Sequence, residues 1–134
     1  MPSAKTRLLA LPKIEDSRGS LGFVEAGSCA PFEIRRVFFI YDVPSGAVRA
    51  GHALRTCDQM IVAVTGAFDV ISDDGHQQIR RRLASADCGL FVPALTWLQL
   101  EDFTPGAVCL VFASEPYDEA GYVRDHDEFR RQMT

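Results

Sequence analysis

The chain has 134 residues, of which 47% are hydrophobic and 24% are charged, and its formal net charge is −4 at pH 7. This length suits one domain around a single core, and the composition is that of a soluble globular protein. The acidic balance argues against binding to nucleic acid, which depends on a basic face. We therefore expect one cytoplasmic domain over residues 1–134.

Apolar runs are short throughout the chain, and none reaches the roughly 18 to 20 residues of a transmembrane helix. The N-terminal segment has too short an apolar stretch for a secretory signal, so no membrane partner is expected. The four cysteines have no C-x-x-C spacing, which predicts free thiols packed as small apolar groups. They are Cys29, Cys57, Cys88 and Cys109.

Short segments rich in β-branched and aromatic residues, separated by Gly, Pro and Asp turns, follow one another along most of the chain. Strands are predicted at residues 7–14, 20–25, 32–43, 59–64, 67–72, 77–83, 89–92, 97–102 and 107–113. Asp73-Asp74-Gly75 predicts a hairpin turn. Charged residues around Tyr122, Val123 and Phe129 predict one short helix within the tail, residues 118–132. Together these elements indicate a β-sandwich or closed barrel.

Three consecutive arginines, Arg80 to Arg82, form the only basic cluster and lie in the predicted strand 77–83. Positive charge on a strand discourages pairing with another chain. We interpret this segment as a solvated strand at the edge of a sheet.

The first metal-binding motif of the cupin superfamily is G-x5-H-x-H-x3,4-E-x6-G. The stretch from Gly46 to Gly66 resembles this motif in its spacing. A second cupin motif aligns on Pro93. A transition metal needs three or four converging N, O or S donors. The four ligand positions hold His52, Leu54, Gln59 and Leu98, of which only His52 is a competent donor. His76 and His126 lie far from this cluster along the chain and are expected to be surface residues, so we predict no metal.

A narrower resemblance covers nearly the whole chain. It rests on residues 16–21 (DSRGSL), 31–40 (PFEIRRVFFI), 73–75 (DDG) and 89–93 (GLFVP) with Trp97, and on a tail of the form S-x-x-Y-D-E-x-x-Y-[IV]-R-D at residues 114–125. These motifs resemble the WxcM-like or FdtA-like dTDP-sugar 3,4-ketoisomerases of the RmlC-like cupin superfamily.

This resemblance implies an all-β cupin fold, a double-stranded β-helix or jelly roll with a short C-terminal helix. It also implies a homodimer that uses neither metal nor cofactor. The implied substrate is dTDP-4-keto-6-deoxyglucose, whose carbonyl moves from C4 to C3 through an enediol during deoxy-amino-sugar biosynthesis for polysaccharide or O-antigen.

Such a reaction needs a base with a pKa near neutrality and a donor that holds the developing oxyanion. On the matching positions, the resemblance implies His52 as the base and Arg18 as the group that steadies the enediolate. Further positions are expected to bind substrate. Arg36 and Arg49 would hold the diphosphate, and Phe39, Tyr41 or Trp97 would stack on thymine. Gln59 would bond the sugar or His52, and Ser17 is also expected to bind substrate.

The motif around the base departs from the family pattern. Where the family has R-G-x-H-A-H, this chain has Arg49-Ala50-Gly51-His52-Ala53-Leu54. Residues two apart on a strand share a face, so Leu54 is expected to line the same interior as His52 and make it drier. If Leu54 replaced a catalytic group, Leu54→His should raise the rate.

Two interpretations of this departure stay open. In the first, His52 alone is the base and the protein is a ketoisomerase. In the second, a diverged protein binds a dTDP-sugar as a partner subunit of the same pathway. The sequence leaves open whether C4 is reprotonated to the gluco or the galacto product.

Overall fold

The computed structural model describes residues 5–133. Within this range the chain forms twelve strands, one turn of 3-10 helix and one α-helix. The first six strands are β1 (Arg7–Ala10), β2 (Lys13–Asp16), β3 (Gly19–Gly22), β4 (Arg36–Ile40), β5 (Arg49–Leu54) and β6 (Gln59–Thr65). The next five are β7 (Phe68–Asp73), β8 (Gln78–Leu83), β9 (Cys88–Val92), β10 (Trp97–Glu101) and β11 (Val108–Ala113). The tail contains the 3-10 turn (Glu119–Gly121), β12 (Tyr122–Val123) and helix α1 (His126–Gln132).

Two antiparallel five-stranded sheets make up the body of the molecule. The first has the strand order β1-β9-β6-β11-β4, and the second has the order β12-β5-β10-β7-β8. Inward side chains of both sheets form one buried core, in which Ile61 and Val111 of the first sheet share a cluster with Phe68 and Leu98 of the second. Burial of these side chains is the main stabilising contribution to the fold. The predicted jelly roll with a short C-terminal helix is confirmed.

Three of the predicted strands have different limits in the structure. The predicted strand 20–25 corresponds to β3, which ends at Gly22. The segment 7–14 is divided at Pro12, which has no N–H to donate to a ladder. The N–H of Leu11 instead bonds the carbonyl of Asp87 at 2.9 Å. The predicted strand 32–43 is ordered as a strand only over β4, and Asp42 beyond it has a positive φ of 54°.

The tail contributes a strand as well as a helix. In β12, Tyr122 pairs with Leu54 and Val123 pairs with Ala53 of β5. Asp125 caps helix α1, since its carboxylate accepts from the N–H of Asp127 at 2.9 Å. The tail is thereby fixed to the edge of the second sheet.

The hairpin of β2 and β3 stands apart from both large sheets. Among the described residues its two strands pair only with each other, and all eight of their own residues are exposed. Two apolar side chains, Ile14 and Leu21, are 60% and 57% exposed. Ser17 and Arg18 form its turn, and Arg18 pairs with Asp16 at 2.8 Å.

Strand β8 is the outer strand of the second sheet, as its arginines predicted. The charges are neutralised locally rather than left in solvent. Arg80 and Arg82 both contact Asp69, at 2.6 and 2.9 Å, and they also pair with Glu101 and Asp102. The basic cluster is therefore part of an ion-pair network that supports the sheet.

All four cysteines are free thiols, as predicted. Cys57 and Cys109 are buried, whereas Cys29 and Cys88 are only partly covered. Burial raises the pKa of Cys109 to about 12, so this thiol is inert. Within residues 5–133 no helix is long and apolar enough to cross a membrane.

Candidate active site

A cavity of about 450 Å³ opens between the two sheets. Its floor is apolar and includes Ile40, Ile61, Leu98, Leu100 and Val111. Its polar groups are Arg49, His52, Gln59, Tyr122 and Arg124. An apolar pocket with a few convergent polar groups is the usual form of a small-molecule site.

A β-bulge in β5 determines where His52 points. Leu98 pairs with His52, but the next residue, Gln99, pairs with Ala50, so Gly51 is the extra residue. Ala50 and Gly51 both have positive φ, at 66° and 79°. Glycine adopts this conformation freely, whereas alanine is strained there by about 1–2 kcal/mol. This strain lies immediately before the histidine on the cavity wall.

His52 is held in a state that can accept a proton. Burial, the largest cause, together with the charges of Arg124 and Arg36, lowers the pKa of His52 from 6.5 to about 4, against the opposing charge of Glu119. Its Nδ1 is buried and has no hydrogen-bond partner among the described residues. The imidazole is therefore neutral at pH 7.

Tyr122 lies directly beside this histidine. The two rings meet edge to face, with centroids 5.0 Å apart and planes at 81°. The Tyr122 hydroxyl accepts a hydrogen bond from Nη2 of Arg36 at 3.3 Å. The guanidinium of Arg36 is in turn held over the rings of Phe38 and Tyr117, at 5.0 and 5.6 Å. A proton-carrying hydroxyl and a cation thus lie next to the histidine.

Arg124 lines the cavity on the same side. Its guanidinium makes two hydrogen bonds to the carboxylate of Glu119, at 2.8 and 3.0 Å, and lies 4.5 Å from the centroid of the Tyr122 ring. Hydrogen bonds from Arg124 and from the Tyr117 hydroxyl lower the pKa of Glu119 from 4.5 to about 2. The pair keeps Arg124 oriented at the cavity while its side chain stays 51% exposed.

Three of the predicted site residues line the cavity: His52, Arg49 and Gln59. Gln59 is 4% exposed and begins β6, at the base of the pocket. Arg36 is not a lining residue of this cavity, and its Nη2 donates to the Tyr122 hydroxyl. Its contact with a diphosphate stays a prediction.

Of the three residues predicted to stack on thymine, Phe39 lines the cavity, whereas Trp97 and Tyr41 lie elsewhere. Trp97 is buried on the far face of β10, because side chains alternate along a strand and its neighbour Leu98 takes the cavity side. Its ring packs against His126 and Phe129, with centroids 4.9 and 5.9 Å away. Tyr41 is 58% exposed and packs on Phe39 at 5.7 Å, outside the cavity.

Ser17 and Arg18 do not line the cavity of their own chain. Both belong to the exposed turn between β2 and β3, where the Arg18 side chain is 88% exposed. The fold of a single chain therefore does not bring Arg18 to His52.

Leu54 is also placed differently from the expectation. It is 4% exposed and packs with Cys57, Ala113, Phe38 and Tyr122, and it is not part of the cavity wall. The extra residue of the bulge, Gly51, precedes His52 and so does not explain why Leu54 lies outside the cavity. Leu54 pairs with Tyr122 of β12, which covers its side chain. The dry wall of the cavity comes from Leu98 and Leu100 instead.

One histidine that was expected on the surface has a structural contact. Nε2 of His126 lies 3.1 Å from a carboxylate oxygen of buried Asp73, which ties helix α1 to the end of β7. His76 is exposed as expected. Within residues 5–133, no group of three or more His, Cys, Asp or Glu side chains is arranged to hold a metal ion.

Sequence reasoning did not single out Tyr122, Arg124 or Glu119 as site residues. All three lie in the tail motif at residues 114–125, which carried the family resemblance. The missing information was the two-residue strand β12, which is too short to show a periodic pattern. Its pairing with β5 brings Tyr122 to the cavity.

Comparison with known proteins gives a consistent set of relatives. The family model described as FdtA, WxcM-like, C-terminal, matches residues 4–134. A TDP-4-oxo-6-deoxy-alpha-D-glucose-3,4-oxoisomerase of Aneurinibacillus thermoaerophilus is 36% identical over 129 residues, which are 96% of this chain and 93% of that protein.

Solved structures agree with this result. A 3,4-ketoisomerase from Helicobacter canadensis superimposes with a TM-score of 0.93 at 34% identity, covering 96% of each chain. A sugar 3,4-ketoisomerase from Thermoanaerobacterium thermosaccharolyticum, in complex with TDP, has a TM-score of 0.93 at 30% identity, covering 96% of this chain and 93% of the other.

Proposed function

Since the chain belongs to the FdtA family of WxcM-like, C-terminal proteins, we propose that it is a dTDP-sugar 3,4-ketoisomerase. Its substrate in this proposal is dTDP-4-keto-6-deoxyglucose, and its product is the 3-keto isomer. The A. thermoaerophilus relative carries that activity in its name. The observation that carries the proposal is a neutral histidine, His52, on the wall of a largely apolar cavity.

His52 is proposed as the base that removes the proton from C3. A base must be unprotonated before substrate binds, and the low pKa of His52 meets this condition at neutral pH. A bound diphosphate would bring negative charge near Arg124 and Arg36, the two cations that lower the pKa of His52. Substrate binding would thus raise the pKa of His52 and make it a stronger base.

The diphosphate is proposed to bind at Arg49 and Arg124. Both guanidinium groups line the cavity, and a planar guanidinium suits a phosphate through paired hydrogen bonds. Gln59, at the base of the pocket, is proposed to bond the sugar. Neither a metal nor a cofactor is part of this proposal, because a proton-transfer isomerisation needs only an acid and a base.

A homodimer is proposed as the working form. The hairpin β2–β3 exposes Ile14 and Leu21, and among the described residues its strands form no ladder with the two large sheets. A second copy of the chain would cover this apolar surface. In that arrangement, Ser17 and Arg18 of one chain would reach the cavity of the other. Arg18 would then stabilise the enediolate of the substrate that is bound in that cavity.

Mixed dimers test this arrangement. Arg18→Ala and His52→Asn proteins would each be inactive alone, but a refolded equal mixture would contain one intact site in each mixed dimer. We expect about a quarter of wild-type activity in the mixture if Arg18 acts across a two-fold dimer. The mixture could instead be as inactive as its components, although mass spectrometry shows mixed dimers. That result would show that Arg18 does not act in the cavity of the partner chain.

The wider setting is also a proposal: a cytoplasmic, single-domain enzyme of deoxy-amino-sugar biosynthesis. Conversion of dTDP-4-keto-6-deoxyglucose by the purified protein, with the product identified by NMR, tests the activity directly. Binding of dTDP without conversion would instead support a binding subunit of the same pathway.

A further inference from the structure

The isomerisation requires two proton transfers, not one. A proton leaves C3 and another arrives at C4, while a second proton leaves the oxygen on C3 and another arrives at the oxygen on C4. One histidine can serve both carbons, because they are neighbours. The exchange between the two oxygens needs a second group that can both give and take a proton. This requirement rests on the proposed function.

The cavity offers one such group besides His52. Five polar side chains line it within the described part of the chain, and two of them, Arg49 and Arg124, are guanidinium groups that do not release protons. A third, Gln59, is an amide that does not ionise. The remaining one is Tyr122, whose hydroxyl both donates and accepts.

We propose that the Tyr122 hydroxyl is the catalytic group that carries a proton between the two sugar oxygens. As His52 takes the proton from C3, Tyr122 gives its proton to the oxygen on C4, and the enediol forms. The resulting phenolate then takes the proton from the oxygen on C3 while that carbonyl forms. His52 returns its proton to C4, and both side chains regain their starting states.

The surroundings of Tyr122 suit this role. Its ring lies against the imidazole of His52 at 5.0 Å, and both residues line the same cavity. Nη2 of Arg36 donates to its hydroxyl oxygen at 3.3 Å, and the same bond would stabilise a transient phenolate. Arg36 has a buried Nε without a partner in the described residues, so its charge is little screened. Arg36 is therefore a positioning residue for Tyr122.

Tyr122→Phe tests the proposal, because it keeps the ring contact with His52 and removes only the hydroxyl. We expect kcat to fall at least about 100-fold, with the Kd for dTDP changed by less than about twofold. Tyr41→Phe is the matched control. Tyr41 is 58% exposed and lies outside the cavity, so loss of its hydroxyl should leave turnover at the wild-type level.

A second measurement does not depend on losing the hydroxyl. Site-specific incorporation of 3-fluorotyrosine at position 122 makes the phenol more acidic with little change in shape. The alkaline limb of the pH profile of kcat should then move to lower pH. An unmoved limb, or a Tyr122→Phe protein with wild-type turnover, would overturn the role of Tyr122 and leave the proposed function intact. A wild-type protein that binds dTDP but forms no product would overturn the proposed function first.

Discussion

The ring of Tyr122 meets the imidazole of His52 edge to face, with centroids 5.0 Å apart. This contact joins two distant parts of the chain, because His52 lies on β5 and Tyr122 lies on the strand that adds to the edge of the same sheet. The tail therefore completes the wall of the cavity and is more than a cover for the barrel. Any change that detaches β12 should disturb the histidine as well.

The pH dependence of activity should reflect the buried state of His52. Its pKa is about 4 in the free protein, so kcat/KM should stay high as pH falls from 7 to 5 and decline only near pH 4. Because a bound diphosphate raises the pKa, the acid limb of kcat should lie at higher pH than that of kcat/KM. Steady-state rates across this range check both limbs. An acid limb of kcat/KM near pH 6.5 would contradict the burial argument.

Stability should also depend on pH through His52. Its pKa is lower in the folded protein than the ordinary value of 6.5, so the unfolded chain binds the proton more readily. The stability associated with the neutral histidine is fully present above pH 6.5 and is lost as pH falls toward 4. The stability associated with the ionised Glu119 is lost in a lower pH range, between about pH 4.5 and its folded pKa of about 2.

Urea unfolding of His52→Asn checks this window. Asparagine does not titrate, so the free energy of unfolding should fall less between pH 6.5 and 4 than in the wild type. Equal slopes in the two proteins would assign the acid sensitivity to another group.

Leu54→His is expected to lower stability without raising the rate, in contrast to the expectation from sequence. Leu54 is buried among Cys57, Ala113, Phe38 and Tyr122, where an imidazole finds no partner. An unpaired buried polar group costs about 1–3 kcal/mol. Leu54→Met, which keeps the volume, should cost less than about 1.5 kcal/mol. Chemical unfolding and turnover measurements on both variants test this expectation. A faster Leu54→His enzyme would show that residue 54 reaches the substrate.

Asp69 should contribute much more to stability than Asp102, although both pair with Arg82. The Asp69 side chain is 11% exposed and also binds Arg80, whereas Asp102 is 73% exposed. Burial raises the pKa of Asp69, but the hydrogen bonds from Arg82 and Arg80 outweigh it and the net pKa is lowered.

We expect Asp69→Asn to cost about 1.5–3 kcal/mol, as for hydrogen bonds to charged groups. Asp102→Asn should stay within about 0.5 kcal/mol of wild type. Denaturant midpoints of the two variants provide the test, and equal midpoints would show that the edge network is not stabilising.

The fold could be predicted because its signals are local. Alternating apolar residues and Gly, Pro and Asp turns predicted the positions of most strands. The three arginines of β8 predicted that it is an edge strand. Part of the site was also predictable, since motif spacing identified His52, Arg49 and Gln59.

The positions of the other predicted site residues depend on contacts that a single strand does not reveal. Trp97 and Leu98 are neighbours on β10, and which of them faces the cavity depends on the register with the adjacent strands. Arg36 was assigned to a diphosphate, but its partner, Tyr122, is 86 residues away in sequence. Arg18 lies on a hairpin that pairs with neither of the two large sheets.

Proton exchange in deuterated water tests the central claim, ketoisomerase chemistry with His52 as the base, most directly. The protein is incubated with dTDP-4-keto-6-deoxyglucose and the sugar ring protons are followed by NMR. We predict that the wild type loses the C3 proton signal and forms a 3-keto product. His52→Asn should bind dTDP normally and show neither change. Exchange and product formation at wild-type rates by His52→Asn would contradict the account.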